Sequence, residues 1–174
     1  MRILDTERLV LSHLTPEDAP FILELVNEPD WLRFIGDRNV HDLDGARAYI
    51  EKVRVEMYAR HGFGLYKVSS KTGSIPLGMC GLLKRDSLPD ADIGFAFLAR
   101  HRGRGYAREA ALSALEQGRR DYGLKRILAI TDPENASSIR LLEKIGFRFV
   151  ERLHLEGHGG ESNLYEQSPT APGF

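Results

Sequence analysis

Residues 99–107 read ARHRGRGYA and join a predicted strand over 91–98 to a helical pattern that runs from Ala107 to Tyr122. The two glycines let the backbone approach a ligand closely and direct several N–H groups the same way. The following helix adds the positive end of its dipole, and the arginines of the turn add positive charge. This combination favours the binding of a phosphate or a pyrophosphate.

Two common phosphate-binding motifs do not fit this turn. A P-loop requires Lys-Ser or Lys-Thr after its second glycine, where this chain has Tyr106 and Ala107. A dinucleotide-binding fingerprint requires glycine or alanine at the position of Arg108. On charge alone, the alternative that these arginines are simply solvated on a surface turn stays open.

The apolar pattern on both sides of the turn predicts an α/β protein. The predicted strands cover residues 8–14, 63–69, 75–84, 91–98, 126–130, 147–155 and 163–166. The predicted helices begin after Thr15, near 42–44, at Ala107 and at Ser137, and a loop with Trp31, Phe34 and Ile35 follows the first of them. A helix between strands 91–98 and 126–130 makes that pair parallel, whereas hairpins make the other pairs antiparallel. We therefore expect one mixed, mostly antiparallel sheet flanked by helices.

Length and composition limit the function classes. The 174 residues are 42% hydrophobic and 28% charged, which is typical of a globular domain. We expect one domain over 1–167 and a loose tail at 168–174. The net charge of −1 gives no general attraction to nucleic acid or to anionic lipid. Cys80 is expected in the core, and the absence of a signal peptide or a membrane-spanning stretch favours the cytoplasm.

Two motifs, in the right order along the chain, resemble those of a known family. The pattern Arg/Gln-x-x-Gly-x-Gly/Ala is matched at Arg100, Gly103 and Gly105. The pattern Asn-x-x-Ser/Ala, followed by Lys-x-Gly-Phe, is matched at Asn135, Ser138, Lys144, Gly146 and Phe147. On these motifs the chain resembles the GNAT family of acyl-CoA-dependent N-acyltransferases, over about residues 6–166. Its opening, TERLVL at 6–11, is similar to the branch that contains the ribosomal-protein N-terminal acetyltransferases.

The resemblance implies where acetyl-CoA binds. Strands 91–98 and 126–130 would part, the pantetheine arm would bond to the backbone of residues 95–98, and the N–H groups of 102–107 would hold the pyrophosphate. Asn135 would bond the cofactor arm or the acceptor, or cap its helix, or both. The implied cofactor-binding residues are Phe95, Phe97, Leu98, Arg100, Arg102, Gly103, Arg104, Gly105, Tyr106, Ala107, Asn135 and Ser138. The resemblance implies no metal.

The resemblance also suggests three catalytic residues, Asp92, Ser138 and Asn135. Asp92 is the candidate general base, since the family often places an acid just before Ile-Gly on that strand. Because Asp is shorter than the more usual Glu, a relaying water is expected; His101 is the alternative base. Many members carry a tyrosine that protonates the leaving thiolate where this chain has Leu142. The hydroxyl of Ser138 is then the candidate partner of the CoA sulfur, although a serine one turn into a helix is also a common local cap.

The implied reaction is a direct attack of an amine on the thioester, and only a neutral amine attacks. An alkyl amine of pKa about 10.4 is neutral in roughly one molecule in 2,500 at pH 7, which costs about 4.6 kcal/mol. A peptide α-amine of pKa about 8 loses only about 1.4 kcal/mol. The acceptor is therefore expected to be a protein N-terminus or a small-molecule amine, and an alkyl amine needs more help from a base.

Acceptor specificity is expected from the loop at 28–40 and the hairpin near 153–163. Trp31 and Phe34 would line the acceptor site or cover the core, and nearby acids would attract an amine or be solvated. These acids are Glu28, Asp30 and Asp37. The competing hypotheses are a non-catalytic acyl-CoA-binding sensor and a nucleic-acid binder. Neither a nucleic-acid nor a membrane partner is expected, and both a monomer and a homodimer fit the sequence.

Overall fold

The computed structural model describes residues 1–156 and 159–169, and they form one eight-stranded sheet. The strands are β1 (Arg2–Asp5), β2 (Leu9–Ser12), β3 (Leu65–Ser70), β4 (Pro76–Leu83), β5 (Asp92–Phe97), β6 (Ile127–Thr131), β7 (Arg148–His154) and β8 (Glu161–Gln167). Their order across the sheet is β1-β2-β3-β4-β5-β6-β8-β7. The β5–β6 pair is parallel, and the other neighbouring pairs are antiparallel. The expected mixed, mostly antiparallel sheet is confirmed.

The helices begin and end at sequence signals that fit their positions. They are α1 (Ala19–Leu25), α2 (Pro29–Phe34), α3 (Leu43–Val53), α4 (Tyr106–Tyr122) and α5 (Ala136–Lys144), and α3 continues as π-helical turns over Arg54–Ala59. Asp42 caps α3, because its carboxylate accepts a hydrogen bond of 2.7 Å from the N–H of Gly45. Gly123, with a φ of 63°, ends α4 in the left-handed conformation that favours glycine.

Two elements were not expected from the sequence. β1 is a four-residue strand with half-exposed side chains, which is too short for a clear alternating pattern. α2 replaces the loop predicted around Trp31 and Phe34, because Pro29 starts this six-residue helix rather than ending the previous one. Residues 157–158 of the expected 153–163 hairpin and 170–174 of the expected tail lie outside the described residues.

The helices cover both faces of the sheet. Alanines of α4 pack against Tyr66, Cys80 and Ile93 on one face. On the other face α1 and α3 pack with Trp31, Met79 and Leu98. Cys80 is fully buried, as expected, and burial raises the pKa of its thiol to about 12. In the described part of the chain, no helix is long and apolar enough to cross a membrane.

The two parallel strands part soon after they meet. Asp92 on β5 is paired with Leu128 on β6, and the N–H of Leu128 donates to the carbonyl of Ala91 at 2.9 Å. This is the one register position recorded for the pair among the described residues. Beyond it the sheet opens into a gap, whose lining includes residues 94–96 of β5 and 129–131 of β6.

Candidate active site

Two cavities meet at the gap between β5 and β6. One has a volume of about 830 Å³ and extends towards Tyr49 and Lys52, and we call it the α3 cavity. The other has a volume of about 890 Å³, is lined by the glycine-containing turn and by α5, and is called the α4 cavity. The residues that line both are Trp31, Phe34, Ile35, Phe95, Ala96, Asn135 and Ser138. The two cavities therefore adjoin at these shared residues.

The turn before α4 presents a row of backbone N–H groups. Gly103 and Gly105 have φ angles of 77° and 79°, which a glycine adopts without strain. The first hydrogen bond of the helix runs from the N–H of Glu109 to the carbonyl of Gly105, at 3.1 Å. Among the described residues, no acceptor is recorded for the N–H groups of 103–108. The N–H of Arg102 donates to the carbonyl of Ala99 at 3.2 Å. The row of N–H groups, expected over 102–107, therefore begins at Gly103.

The arginine side chains of the turn are largely held by carboxylates. Arg100 bonds to Glu24, and Arg102 bonds to Asp30 and lies 3.5 Å from Glu28. Glu28 also accepts a bond of 2.9 Å from the N–H of Ala99. The side chains of Glu28 and Asp30, expected to attract an amine, therefore hold the turn in place.

Asp37, the third acid expected to attract an amine, accepts a local bond of 2.8 Å from the N–H of Asn39.

An ion pair between Arg8 and Glu109 supports the turn from the β1–β2 connection. Nε of Arg8 donates to Glu109 at 2.7 Å, and Nη1 of Arg8 donates to the carbonyl of Arg104 at 2.9 Å. Partial burial would raise the pKa of Glu109, but hydrogen bonds from Thr6 and Arg8 outweigh burial and lower it. The Arg8 guanidinium also lies over the ring of Tyr106, 4.7 Å from its centre. Thr6 and Arg8 belong to the TERLVL stretch at 6–11, but nothing in the sequence indicated that they contact Glu109.

The backbone of β5 faces the gap at alternate residues. The N–H of Leu98 donates to Leu77 of β4 at 2.9 Å, and its carbonyl accepts from His101. Because the bonding direction alternates along an antiparallel ladder, the backbone groups of Phe95 and Phe97 point towards β6 instead. The carbonyl of Phe97 accepts a bond of 3.0 Å from Nε of Arg102.

The structure thus divides the expected cofactor-binding residues into two groups. Those lining the α4 cavity are Phe95, Phe97, Arg102, Gly103, Gly105, Tyr106, Ala107, Asn135 and Ser138. The expected residues outside both cavities are Leu98, Arg100 and Arg104. The fully buried Leu98 has both backbone groups bonded inside the protein, so nothing in this geometry supports a contact with the cofactor.

The start of α5 brings Asn135 and Ser138 to the junction of the cavities. The side-chain carbonyl of Asn135 accepts a bond of 3.2 Å from the N–H of Ser138, which caps the helix. Both residues still line both cavities. Leu142 is buried against the α3 cavity and supplies no proton.

Asp92 is buried beneath the α3 cavity rather than in its wall. Its carboxylate accepts bonds of 3.1 and 3.2 Å from Nε of Arg85, which does line the cavity. Burial raises the pKa of Asp92 to about 6, against the opposing charge of Arg85. Asp92 is not among the residues that line the cavity, so its expected role as the general base requires a water that relays the proton.

His101, the alternative base, lines the α4 cavity next to the glycine-containing turn and does not line the α3 cavity. Burial lowers its pKa, and the charges of Arg100 and Arg104 lower it further. Among the described residues, no group of three or more His, Cys, Asp or Glu side chains is arranged to hold a metal ion.

Comparisons with known proteins agree with this geometry. Residues 8–148 match the acetyltransferase (GNAT) domain model. The N-acetyltransferase p20 of Bacillus licheniformis is 28% identical over 149 residues, which cover 85% of this chain and 83% of p20. A GNAT-family acetyltransferase structure from Bacillus anthracis is 26% identical, with a TM-score of 0.78 over 97% of this chain and 98% of that one. The chain belongs to the GNAT family and is an acetyl-CoA-dependent acyltransferase.

One further structure shares the fold. The ribosomal-protein-S5-alanine acetyltransferase from Vibrio fischeri superposes with a TM-score of 0.78, covering 98% of this chain and 97% of that one. At 17% identity, this similarity concerns the fold alone.

Replacing Arg8 with alanine should weaken CoA binding about fivefold, because the half-exposed Arg8–Glu109 pair that supports the turn is lost. Titration calorimetry with CoA measures the change. Arg2→Ala is the matched control, since Arg2 bonds to Asp5 and does not contact the turn. Equal CoA affinity in Arg8→Ala and the unmodified protein would contradict this role.

The buried carboxyl group of Asp92 should make the free energy of unfolding decrease as the pH rises. The more usual carboxylate, with a lowered pKa, has the opposite effect. Its folded pKa of about 6 lies above its ordinary value of 3.8, so protonated Asp92 favours the folded state, and this contribution is lost as the pH rises through about 6. Relative to Asp92→Asn, the unmodified protein should lose about 2 kcal/mol of unfolding free energy between roughly pH 4 and pH 7. Urea unfolding across this range measures it, and a constant difference would refute the assignment.

Proposed function

We propose that this protein transfers the acetyl group of acetyl-CoA to a primary amine by direct attack. The observation that carries the proposal is the pair of cavities that meet at the gap between β5 and β6. One cavity is lined by the phosphate-binding turn, so acetyl-CoA fits there with its thioester at the shared residues. The α3 cavity is left for the acceptor.

The turn is proposed to bind the pyrophosphate mainly through backbone N–H groups. Residues 103–107 supply them, and the positive end of the α4 dipole lies behind them. The backbone groups of Phe95 and Phe97 face the gap and would bond to the amides of the pantetheine arm. Asn135 would bond to the cofactor arm or the acceptor while it caps α5.

In the proposed reaction, the amine nitrogen forms a bond to the carbonyl carbon and the carbon–sulfur bond breaks. The nitrogen loses a proton and the thiolate gains one, so the products are an acetylated amine and CoA. Ser138 lies at the junction of the cavities, and we assign its hydroxyl to the CoA sulfur. Asp92 is assigned an indirect part, since it orients Arg85 from beneath the cavity wall.

An α-amine at a protein or peptide N-terminus is the favoured acceptor class. It gives up only about 1.4 kcal/mol to be neutral at pH 7, which requires no buried side-chain base. The V. fischeri neighbour is named for an alanine of ribosomal protein S5, so a protein is one acceptor to include in the test.

Acetyl transfer is tested by incubating the protein with acetyl-CoA and a panel of peptides and small amines. Thiol release and mass spectrometry are the readouts, and we expect acetylated α-amines. CoA binding without turnover on any amine would overturn the proposal in favour of a non-catalytic sensor.

Substitution Ala107→Glu should raise the KM for acetyl-CoA by roughly 30-fold, because an added carboxylate at the turn repels the pyrophosphate by about 2 kcal/mol. Leu112→Glu places the same charge on an exposed position of α4, outside both cavities, and is the matched control. An unchanged KM in Ala107→Glu would show that the turn does not bind the pyrophosphate.

Substitution Ser138→Ala should lower kcat about tenfold with little change in the KM for acetyl-CoA, because one hydrogen bond to the leaving thiolate is lost. Steady-state kinetics separate the two constants. Ser113→Ala is the control, since that hydroxyl bonds to Ala110 inside α4. A change in KM alone would instead assign Ser138 to ground-state binding of the cofactor.

A further inference from the structure

The α3 cavity contains a cluster of hydrogen-bond donors that the proposed transfer does not use. Arg85 lies after the end of β4, near the position where β5 and β6 are still paired. Arg38 and Tyr49 line the same cavity from the segment before α3 and from α3 itself. We call Arg38, Tyr49 and Arg85 the donor cluster.

Arg85 is held in a fixed orientation by a buried anion. Nε donates to both carboxylate oxygens of Asp92, whose side chain is 1% exposed. Among the described residues, no acceptor is recorded for Nη1 or Nη2 of Arg85, and 29% of this side chain is accessible. A guanidinium oriented through Nε leaves its other N–H groups available to a planar anion such as a carboxylate.

Arg38 and Tyr49 add a second cation and a hydroxyl group to the cavity that Arg85 lines. Tyr49, Arg38 and Arg85 line the same cavity. Burial raises the pKa of Tyr49, while the positive charges of Arg38 and Arg85 act in the opposite direction. The Tyr49 hydroxyl has no recorded partner within the described residues. The cluster therefore combines two cations with a neutral O–H donor.

Three acids also line the α3 cavity, and none has a recorded bond to the donor cluster among the described residues. Glu56 is exposed on the continuation of α3, Asp132 follows β6, and Glu161 begins β8. Asp132 accepts a local bond from the N–H of Glu134, and Glu161 lies 3.6 Å from Arg152. Asp92 is the anion that directly contacts the donor cluster among the described residues, and it bonds to Nε alone.

We propose that the donor cluster binds a carboxylate carried by the acceptor, so that the preferred substrate is an amine that also bears a carboxylate. The inference rests on the proposed function, because the amine must enter the same cavity. The carboxylate has two possible sources, an acidic side chain close to a peptide N-terminus or the carboxylate of a free amino acid. Asp92 is then a positioning residue for Arg85.

The test compares acceptors in pairs that differ only in the carboxylate. One arm uses peptides with glutamate or glutamine at the second or third position, and the other uses free amino acids and their amides. In the unmodified protein, kcat/KM should favour the acid at least about tenfold in one arm, and that arm identifies the source. A ratio near one in both arms, with acetylation still observed, would overturn this inference but not the proposed function.

Variants connect the preference to the cluster. Arg38→Gln and Tyr49→Phe should each reduce the ratio of kcat/KM for the acidic acceptor to kcat/KM for its neutral counterpart. Neither substitution changes the Asp92–Arg85 pair. Arg85→Gln combined with Asp92→Asn should bring it close to one without leaving a buried charge unpaired. Arg85→Lys should restore part of the preference. Arg47→Gln is the control, since Arg47 pairs with Asp44 outside the cavity. An unchanged ratio in Arg38→Gln and in the double variant would refute the assignment.

A binding measurement separates this inference from the transfer reaction. The N-acetylated peptide with glutamate and the matched peptide with glutamine are titrated into the protein–CoA complex, and calorimetry measures their dissociation constants. Tighter binding of the acid that is lost in the double variant supports the donor cluster even if no amine is acetylated. Equal binding of the two peptides, together with no turnover, would overturn both proposals.

Discussion

The parting of β5 and β6 after the pairing of Asp92 with Leu128 is the constraint on which the site depends. Backbone groups in the middle of a sheet need partners, and here alternate residues of β5 face a gap instead of a neighbouring strand. The strands on the two sides of the gap are each paired elsewhere, since β4 supports β5 and β8 supports β6 through antiparallel ladders. An extended molecule with amide groups can therefore take the place of a strand without disturbing the core.

In the turn before α4, the backbone N–H groups lack recorded partners among the described residues, whereas the side chains of Arg100 and Arg102 have them. Arg100 and Arg102 are held by carboxylates from α1, α2 and the residue between them. The N–H groups of 103–108, in contrast, have no recorded protein acceptor among the described residues. Glycine conformations at 103 and 105 direct these groups, and the Arg8–Glu109 pair supports the turn from the connection between β1 and β2. The arginine cations mainly fix the shape of the turn by binding its neighbours.

The buried carboxylate of Asp92 determines where the charge of Arg85 lies in the α3 cavity. Asp92 has no exposed surface, so its ionisation is costly and depends on Arg85. The same contact holds the guanidinium in the cavity wall. The carboxylate that the sequence suggested as a general base therefore also orients a cation of the cavity wall. Ser138 and Asn135 lie at the junction of the cavities and line both of them.

The sequence by itself determined the element order from β2 onward, apart from α2, together with the parallel crossover, the turn at 99–107 and the cap at Asn135. These are local features, set by hydrophobic period, glycine positions and capping residues. Tertiary structure alone decided which partners the charged groups have, since Arg8 meets Glu109, Arg102 meets Asp30 and Arg85 meets Asp92 across separate elements. Sequence spacing carries no information about such contacts, because the energy of a charge depends on its burial and on neighbours that only the folded chain brings together.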